Sequence, residues 1–276
     1  MKTRLSEKIL TYALLILFSL FTLIPLLWAV STSFKPSNEI FSIPPRWIPK
    51  TFTLDNYETV LFHSAIPRYF INSLYIGLTT SLLSLLFGGA AGYGFARFKV
   101  RGARGLSLFM LVSQMLPLIV VMIPVYFFMD RLHLIDSPIG LAIAYLIFTM
   151  PLVTWMIRSY FQGIPNELRE AAEIDGCTQL RALLAVELPL AAPGVAATGI
   201  YAFVMSWNEF VLASVLTLSD KSRTLPIGLS MFSTSFTVDW GSTMAATVLI
   251  SIPVILLFLW LQKYFISGLT MGSVKG

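Results

Sequence analysis

Glu170-Ala171-Ala172-Glu173-Ile174-Asp175-Gly176, followed ten residues later by Val186-Glu187-Leu188-Pro189, is the most densely charged interruption in a chain otherwise built of long apolar runs. Between Pro165 and Glu187 lie five acids (Glu167, Glu170, Glu173, Asp175, Glu187) and two arginines (Arg169, Arg181). Leu168, Ala171 and Ala172 recur at helical spacing, so a short helix beginning after Pro165 has one shallow apolar face and one charged face. Its early acids complement a helix N-terminus. Gly176 ends it, because glycine accepts the left-handed conformation of a sharp C-terminal turn. Thr178 then caps a second short helix carrying Leu180, Leu183 and Leu184. Two short helices at an angle form a knob outside the bilayer, which either seats in another protein's cleft or stands as an amphipathic hairpin without a partner.

Composition assigns the class. Of 276 residues 56% are hydrophobic and 12% charged, with mean hydropathy +0.78, which fits a polytopic membrane protein and excludes an ordinary soluble domain. Six windows are long enough to cross a hydrocarbon core of about 30 Å at about 1.5 Å per residue. They fall at about 9–34, 69–96, 105–129, 137–158, 188–218 and 240–265, and the loop at about 164–187 lies between the fourth and fifth. No internal repeat or separate soluble domain is visible, so 1–276 reads as a single transmembrane domain, all-α, with six transmembrane helices. The first run follows Lys2, Arg4 and Lys8 and is too long for a signal h-region, so it reads as a retained span.

The net charge of +5 comes from basic residues at the ends of the apolar runs. Lys2, Arg4, Lys8, Arg97, Lys99, Arg101, Arg104, Arg158, Arg169, Arg181, Lys263 and Lys275 fall on one side, twelve against seven on the other. The positive-inside rule therefore predicts that both termini and the 164–187 loop are cytoplasmic. This distribution also accounts for the basic excess without nucleic acid.

Individual polar residues narrow the chemistry. Cys177 is the single cysteine, so no intrachain disulfide forms. His63 and His133 are far apart, and a metal site needs several converging ligands. The external segment from Lys35 to Arg68 holds five prolines and Trp47, Phe52 and Tyr57, which predicts an irregular interfacial cap or connector. Gly88 and Gly92 sit one helical turn apart in the second span and predict close helix approach. Asn72, near the outer end of that span, bridges helices or faces a cavity. Pro25, Pro117, Pro124, Pro151 and Pro253 predict kinks. Trp207-Asn208-Glu209 lies in the outer half of the fifth span. A carboxylate at such depth costs about 2.5 to 3.5 kcal/mol on insertion scales, so Glu209 faces a partner or water, or is paired across a helix interface for structure alone.

The 170–189 stretch closely resembles the cytoplasmic signature loop of ABC importer permeases. Trp207-Asn208-Glu209-Phe210, Phe52-Thr53-Leu54-Asp55-Asn56-Tyr57 and the ending Gly268-Leu-Thr-Met-Gly-Ser-Val-Lys-Gly276 are similar to the carbohydrate-uptake branch, specifically the maltose-type second permease. The resemblance covers nearly the whole chain, with Cys177 and Leu183 standing where the family usually has Ala and an aromatic residue. It implies a type I ABC importer permease fold in the inner membrane of a prokaryote. It implies as partners a second homologous permease, two nucleotide-binding ATPase subunits and an extracytoplasmic solute-binding protein. Glu170, Ala171, Ala172, Asp175 and Gly176 would form the coupling helix in the ATPase cleft, and Gly272, Ser273, Val274, Lys275 and Gly276 a C-terminal ATPase contact.

Nothing in the chain matches Gly-x-x-x-x-Gly-Lys-[Ser/Thr], so it is expected to be no enzyme and to bind no cofactor, with ATP and magnesium held by the partner subunits. The cargo implied is a sugar, polyol or sugar derivative. Its pathway or gate is expected to include Trp207, Asn208, Glu209 and Asn72, residue types suited to hydroxyl recognition and aromatic stacking. The alternative is a proton-coupled secondary transporter using Glu209. An intramembrane enzyme lacks the Ser/His, paired Asp or His-Glu-x-x-His inventory it needs.

Overall fold

A computed structural model describes residues 5–233 and 237–273. Helices dominate, and among the described residues the only β-type pairing is an isolated bridge between Ser233 and Val238. In chain order they are α1 (Leu5–Ser33), α2 (Ser37–Ile40), α3 (Asp55–Phe62), α4 (Ile66–Leu83), α5 (Gly89–Arg97), α6 (Ala103–Ser113) and α7 (Leu118–Arg131). There follow α8 (Pro138–Gln162), α9 (Asn166–Ile174), α10 (Gln179–Ala182), α11 (Leu188–Trp207), α12 (Val211–Leu216), α13 (Leu225–Ser230) and α14 (Trp240–Ser273). Five-residue π-helical turns, Ser84–Gly88 and Leu183–Glu187, join α4 to α5 and α10 to α11. Five continuous helices among the described residues are long and apolar enough to cross a bilayer, and the bent pair α6–α7 makes a sixth.

Two expected spans are interrupted. The run expected at 105–129 is bent by 104° between α6 and α7. Pro117 precedes α7 there; it has no N–H to continue the ladder and disfavours helical backbone in the residue before it. The run expected at 188–218 stops at Trp207, and α12 is a separate short helix.

The chain forms two compact units, one drawing on the chain up to Pro67 and on Gly228–Pro253, the other on Arg68–Ile227 and the chain from Val254. In the first, α1 leaves its apolar side chains exposed from Ile9 to Ile24. The Pro-rich segment is an ordered aromatic assembly: Trp28 and Trp47 meet edge to face at 4.9 Å, and the buried Lys35 ammonium lies 4.0 Å from the Trp28 ring centre. Asn56 ties it together by donating to the carbonyls of Ser33 and Lys35, both at 2.9 Å.

In the second unit α8 is the axis. The α4–α5 segment packs on it through Gly88 and Gly92, where a Cβ on Gly88 would lie 3.1 Å from the Met150 carbonyl oxygen. Interhelical hydroxyls reinforce this face: Thr80 donates to the Ala142 carbonyl at 3.2 Å, and the hydroxyls of Ser84 and Thr149 meet at 2.8 Å. On another side α11 brings Gly194 against the ring of Tyr160. Small residues let backbones approach closely, which in lipid replaces the hydrophobic drive of water. Two apolar clusters result, one around Ile76, Leu141, Tyr145 and Leu212, the other around Val153, Ile157, Phe161 and Ala191.

Candidate functional site

The 164–187 loop is closed by two local capping motifs. At the C-terminus of α9, Gly176 has φ +89°, its N–H donates to the Glu173 carbonyl at 3.1 Å, and the Cys177 N–H donates to the Ala172 carbonyl at 2.9 Å. This is the paired 5→2 and 6→1 bonding of a Schellman termination, and it needs a left-handed residue where Gly176 stands. Two residues on, the Thr178 hydroxyl accepts the Arg181 N–H at 3.3 Å and starts α10. The angle between α9 and α10 is thus set by backbone chemistry.

Ala172 is the one buried residue of α9. Glu167, Glu170, Ala171 and Asp175 are exposed, as are Leu168, Ile174, Leu180 and Leu184, Ile174 to 86%. The outward surface of the loop is therefore apolar knobs framed by acids. Of the expected coupling residues, Glu170, Ala171, Asp175 and Gly176 lie on that exposed surface, and Ala172 lies beneath it.

Beneath the loop is a buried charge cluster with no local sequence signal. The Arg97 Nε lies 2.6 Å from Glu187 Oε1, with both side chains almost fully buried. Glu187 Oε2 accepts from the Tyr93 hydroxyl at 2.8 Å. Arg97 also donates to Asn166 Oδ1 at 2.7 Å and to the Ile164 carbonyl at 3.1 Å. A buried ion pair that loses one member strands the other, which costs about 3 to 5 kcal/mol.

Outside this cluster a cavity of about 460 Å³ opens among α6, α7, α8 and the break after α11, with Ser113, Gln114, Phe148, Asn208, Glu209 and Phe210 in its wall. Glu209 is buried and holds the start of α12: its two carboxylate oxygens accept the N–H groups of Leu212 at 2.7 Å and Ala213 at 3.1 Å. Such a carboxylate satisfies free N–H donors and complements the positive helix end. Asn208 donates to the Val204 carbonyl at 2.8 Å. Trp207 does not line this cavity; it is buried, stacked on Phe203 at 5.4 Å and edge-on to Phe70 at 5.7 Å.

Asn72 is placed elsewhere, donating to the Arg223 carbonyl at 2.9 Å and so pinning the turn after α12. The structure thus brings Asn208 and Glu209 together and separates Trp207 and Asn72 from them. Ser113 and Gln114 were not foreseen in the wall; the signal available was a polar pair shortly before Pro117 in an apolar run.

The same turn is clasped by Asp136. It accepts from the N–H groups of Leu218 at 2.9 Å and Ser219 at 2.8 Å, from the Ser219 hydroxyl at 2.6 Å and from the Ser222 hydroxyl. Burial alone would raise its pKa, but these donors together outweigh it and hold the carboxyl well below the usual carboxylate range.

At the C-terminus Gly272 and Ser273 end α14, whereas Val274, Lys275 and Gly276 lie outside the described residues. Among the described residues no three His, Cys, Asp or Glu side chains converge as metal ligands would.

Residues 84–270 match the family described as binding-protein-dependent transport system inner membrane component. The chain is 35% identical to the diacetylchitobiose uptake system permease protein DasC of Streptomyces coelicolor, over 91% of each chain. It is 32% identical to the trehalose/maltose transport system permease protein MalG of Thermococcus litoralis, over the full length of both. In fold it is similar to a chain of a bacterial ABC transporter that imports the acidic polysaccharide alginate, with a TM-score of 0.80 at 23% identity over 95% of this chain and 99% of that one. With most of its length matched, the chain belongs to the family of binding-protein-dependent transport inner-membrane components, the multi-pass permeases of ABC importers.

Proposed function

We propose that this chain is the permease subunit of an ATP-driven importer for a carbohydrate or a related sugar derivative, and that the 164–187 loop is its joint with a separate ATPase. The observation that carries the joint is the loop's construction: helix ends fixed by Gly176 and Thr178, apolar knobs and acids outward, and a buried charge cluster inward. The cargo class follows from relatives whose names specify disaccharide uptake. Two nucleotide-binding subunits bind and hydrolyse ATP with magnesium, and their closure moves α9 and α10 as a lever. A second homologous permease completes the pathway, and an extracytoplasmic binding protein delivers the sugar. Both termini face the cytoplasm, where the end of α14 at Gly272 and Ser273 approaches the ATPase pair.

Transport proceeds by alternating access, the bundle rocking so that an internal cavity opens to one side at a time. The cavity beside Glu209 suits a polyhydroxylated ligand, with the amides of Gln114 and Asn208 and the hydroxyl of Ser113 for hydrogen bonds and Phe148 and Phe210 for apolar contact. Trp207 is packed in the core at the end of α11, just before the cavity residue Asn208, and Asn72 holds the outer turn on the gate side. A gradient-driven carrier centred on Glu209 is not favoured, because that carboxylate is engaged by the backbone of α12 and the relatives are ABC importer permeases.

The test is the complete transporter, with binding protein, in proteoliposomes. Replacing Asp175 and Gly176 together is expected to leave ATP hydrolysis running while sugar uptake collapses. Normal stimulated uptake by that complex would refute the joint.

A further inference from the structure

Arg97 is where three chain segments meet. Its guanidinium reaches the Ile164 carbonyl and Asn166 at the start of the loop, and Glu187 at its end, while the residue itself closes α5. Tyr93 stands one helical turn earlier on the same face of α5, so Arg97 and Tyr93 grip the two oxygens of Glu187 separately. Apolar packing holds α9 itself only weakly, since that helix buries only Ala172, while Ile164 and Leu183 pack at the two ends of the loop.

We infer that Arg97 is a positioning residue that locks both ends of the 164–187 loop to the inner end of the second span, so that α9, α10 and α5 move as one body. This rests on the loop being the ATPase joint. A lever transmits motion only if its base does not swivel, and the base here is a planar fork that donates to two acceptors at the start of the loop and is ion-paired with the carboxylate at its end. Lysine carries the same charge on a single ammonium and cannot hold all three in place. The buried charge is thereby matched by an acid and two neutral acceptors, and the tie stays closed when the loop is pushed.

The experiment uses the assembled transporter in proteoliposomes. Arg97→Lys, which keeps the charge, is expected to preserve assembly with only a modest drop in thermal stability while sugar imported per ATP hydrolysed falls about tenfold, the scale of losing one charge-assisted hydrogen bond. Tyr93→Phe, which keeps the ion pair, is expected to reduce the same ratio less. A ratio unchanged in both variants overturns the inference.

A second measurement does not depend on either variant folding. In a Cys177→Ser background, spin labels at the exposed positions 99 and 179 report the distance between the end of α5 and α10 with and without ATP. One unchanging distance while Arg97 is present is expected, and a distance that shifts with ATP overturns the tie. The substitutions at Asp175 and Gly176 report the joint itself. If they uncouple and Arg97→Lys does not, the tie alone fails; if they do not uncouple, the joint fails.

Discussion

Gly92 sits so close to Thr154 that a Cβ at position 92 would lie 2.6 Å from the Thr154 carbonyl oxygen and 3.0 Å from the Arg158 backbone nitrogen. Neither of those atoms is free to move, because both belong to the backbone of α8. Gly92→Ala is therefore expected to force α5 and α8 apart and to destabilise the permease by about 1 to 3 kcal/mol, as overpacking does. Gly94, two residues on, faces open space, and a Cβ there would meet nothing within 4 Å. Gly94→Ala should be neutral or mildly stabilising, since alanine is the better helix former. Thermal unfolding of the purified complex separates the two.

The Glu209 carboxylate closes α12 through two backbone N–H groups. Glu209→Ala removes both acceptors and should cost about 1 to 2 kcal/mol, the range for a lost N-terminal cap. Glu209→Gln keeps one acceptor oxygen and nearly the same shape, so it should cost less and retain sugar uptake. Thermal unfolding and uptake, measured on both variants, check this. Abolished uptake in the glutamine variant with unfolding unchanged would give the carboxylate a role in transport beyond capping.

Asp136 predicts a pH dependence. Its folded carboxyl is held below its unfolded value of about 3.9. The stability it contributes is fully present above that value and is lost as the pH falls through it toward the folded value. Asp136→Asn should lower stability at neutral pH by about 1.5 kcal/mol or more, the scale of hydrogen bonds to a charged group. The difference between the two proteins should shrink below about pH 4, where Asp136 of the unfolded wild-type chain begins to protonate while the folded carboxyl stays ionised. Unfolding temperatures of both proteins across that range test the sign.

What could be read from the sequence was what local chemistry decides. Gly176 and Thr178 act through bonds to residues no more than a few positions away, so a glycine and a threonine at the right places announced both caps. Gly88 and Gly92 announced close packing, although nothing in their spacing named α8 as the partner. Tyr93 and Glu187 are 94 positions apart, and neither carries a mark of the other. The charge at Glu187 read as one more acid of a solvated loop, whereas the fold buries it. Hydropathy also ran through the breaks at Pro117 and Asn208, because both sides of each break are apolar and only backbone geometry ends the helix. Trp207 is a cavity aromatic by type, but it packs on the buried Phe203 and the half-buried Phe70 instead.

Gly176 allows the joint to be tested by strain alone. Its Cβ position is open, with nothing within 4 Å, and its φ is +89°. A side chain there meets no neighbour within this chain, so its effect on the loop comes from the left-handed backbone, which costs an ordinary L-residue about 1 to 2 kcal/mol. Asparagine tolerates that conformation better than alanine. If the α9–α10 angle transmits the ATPase motion, the sugar imported per ATP should fall in the order Gly176, Gly176→Asn, Gly176→Ala. The permease itself should remain folded throughout, because the residue is exposed within this chain and buries nothing there. Simultaneous measurement of uptake and ATP hydrolysis in proteoliposomes reads the order directly. Equal ratios for all three proteins would show that the turn at Gly176 shapes the loop without carrying the coupling.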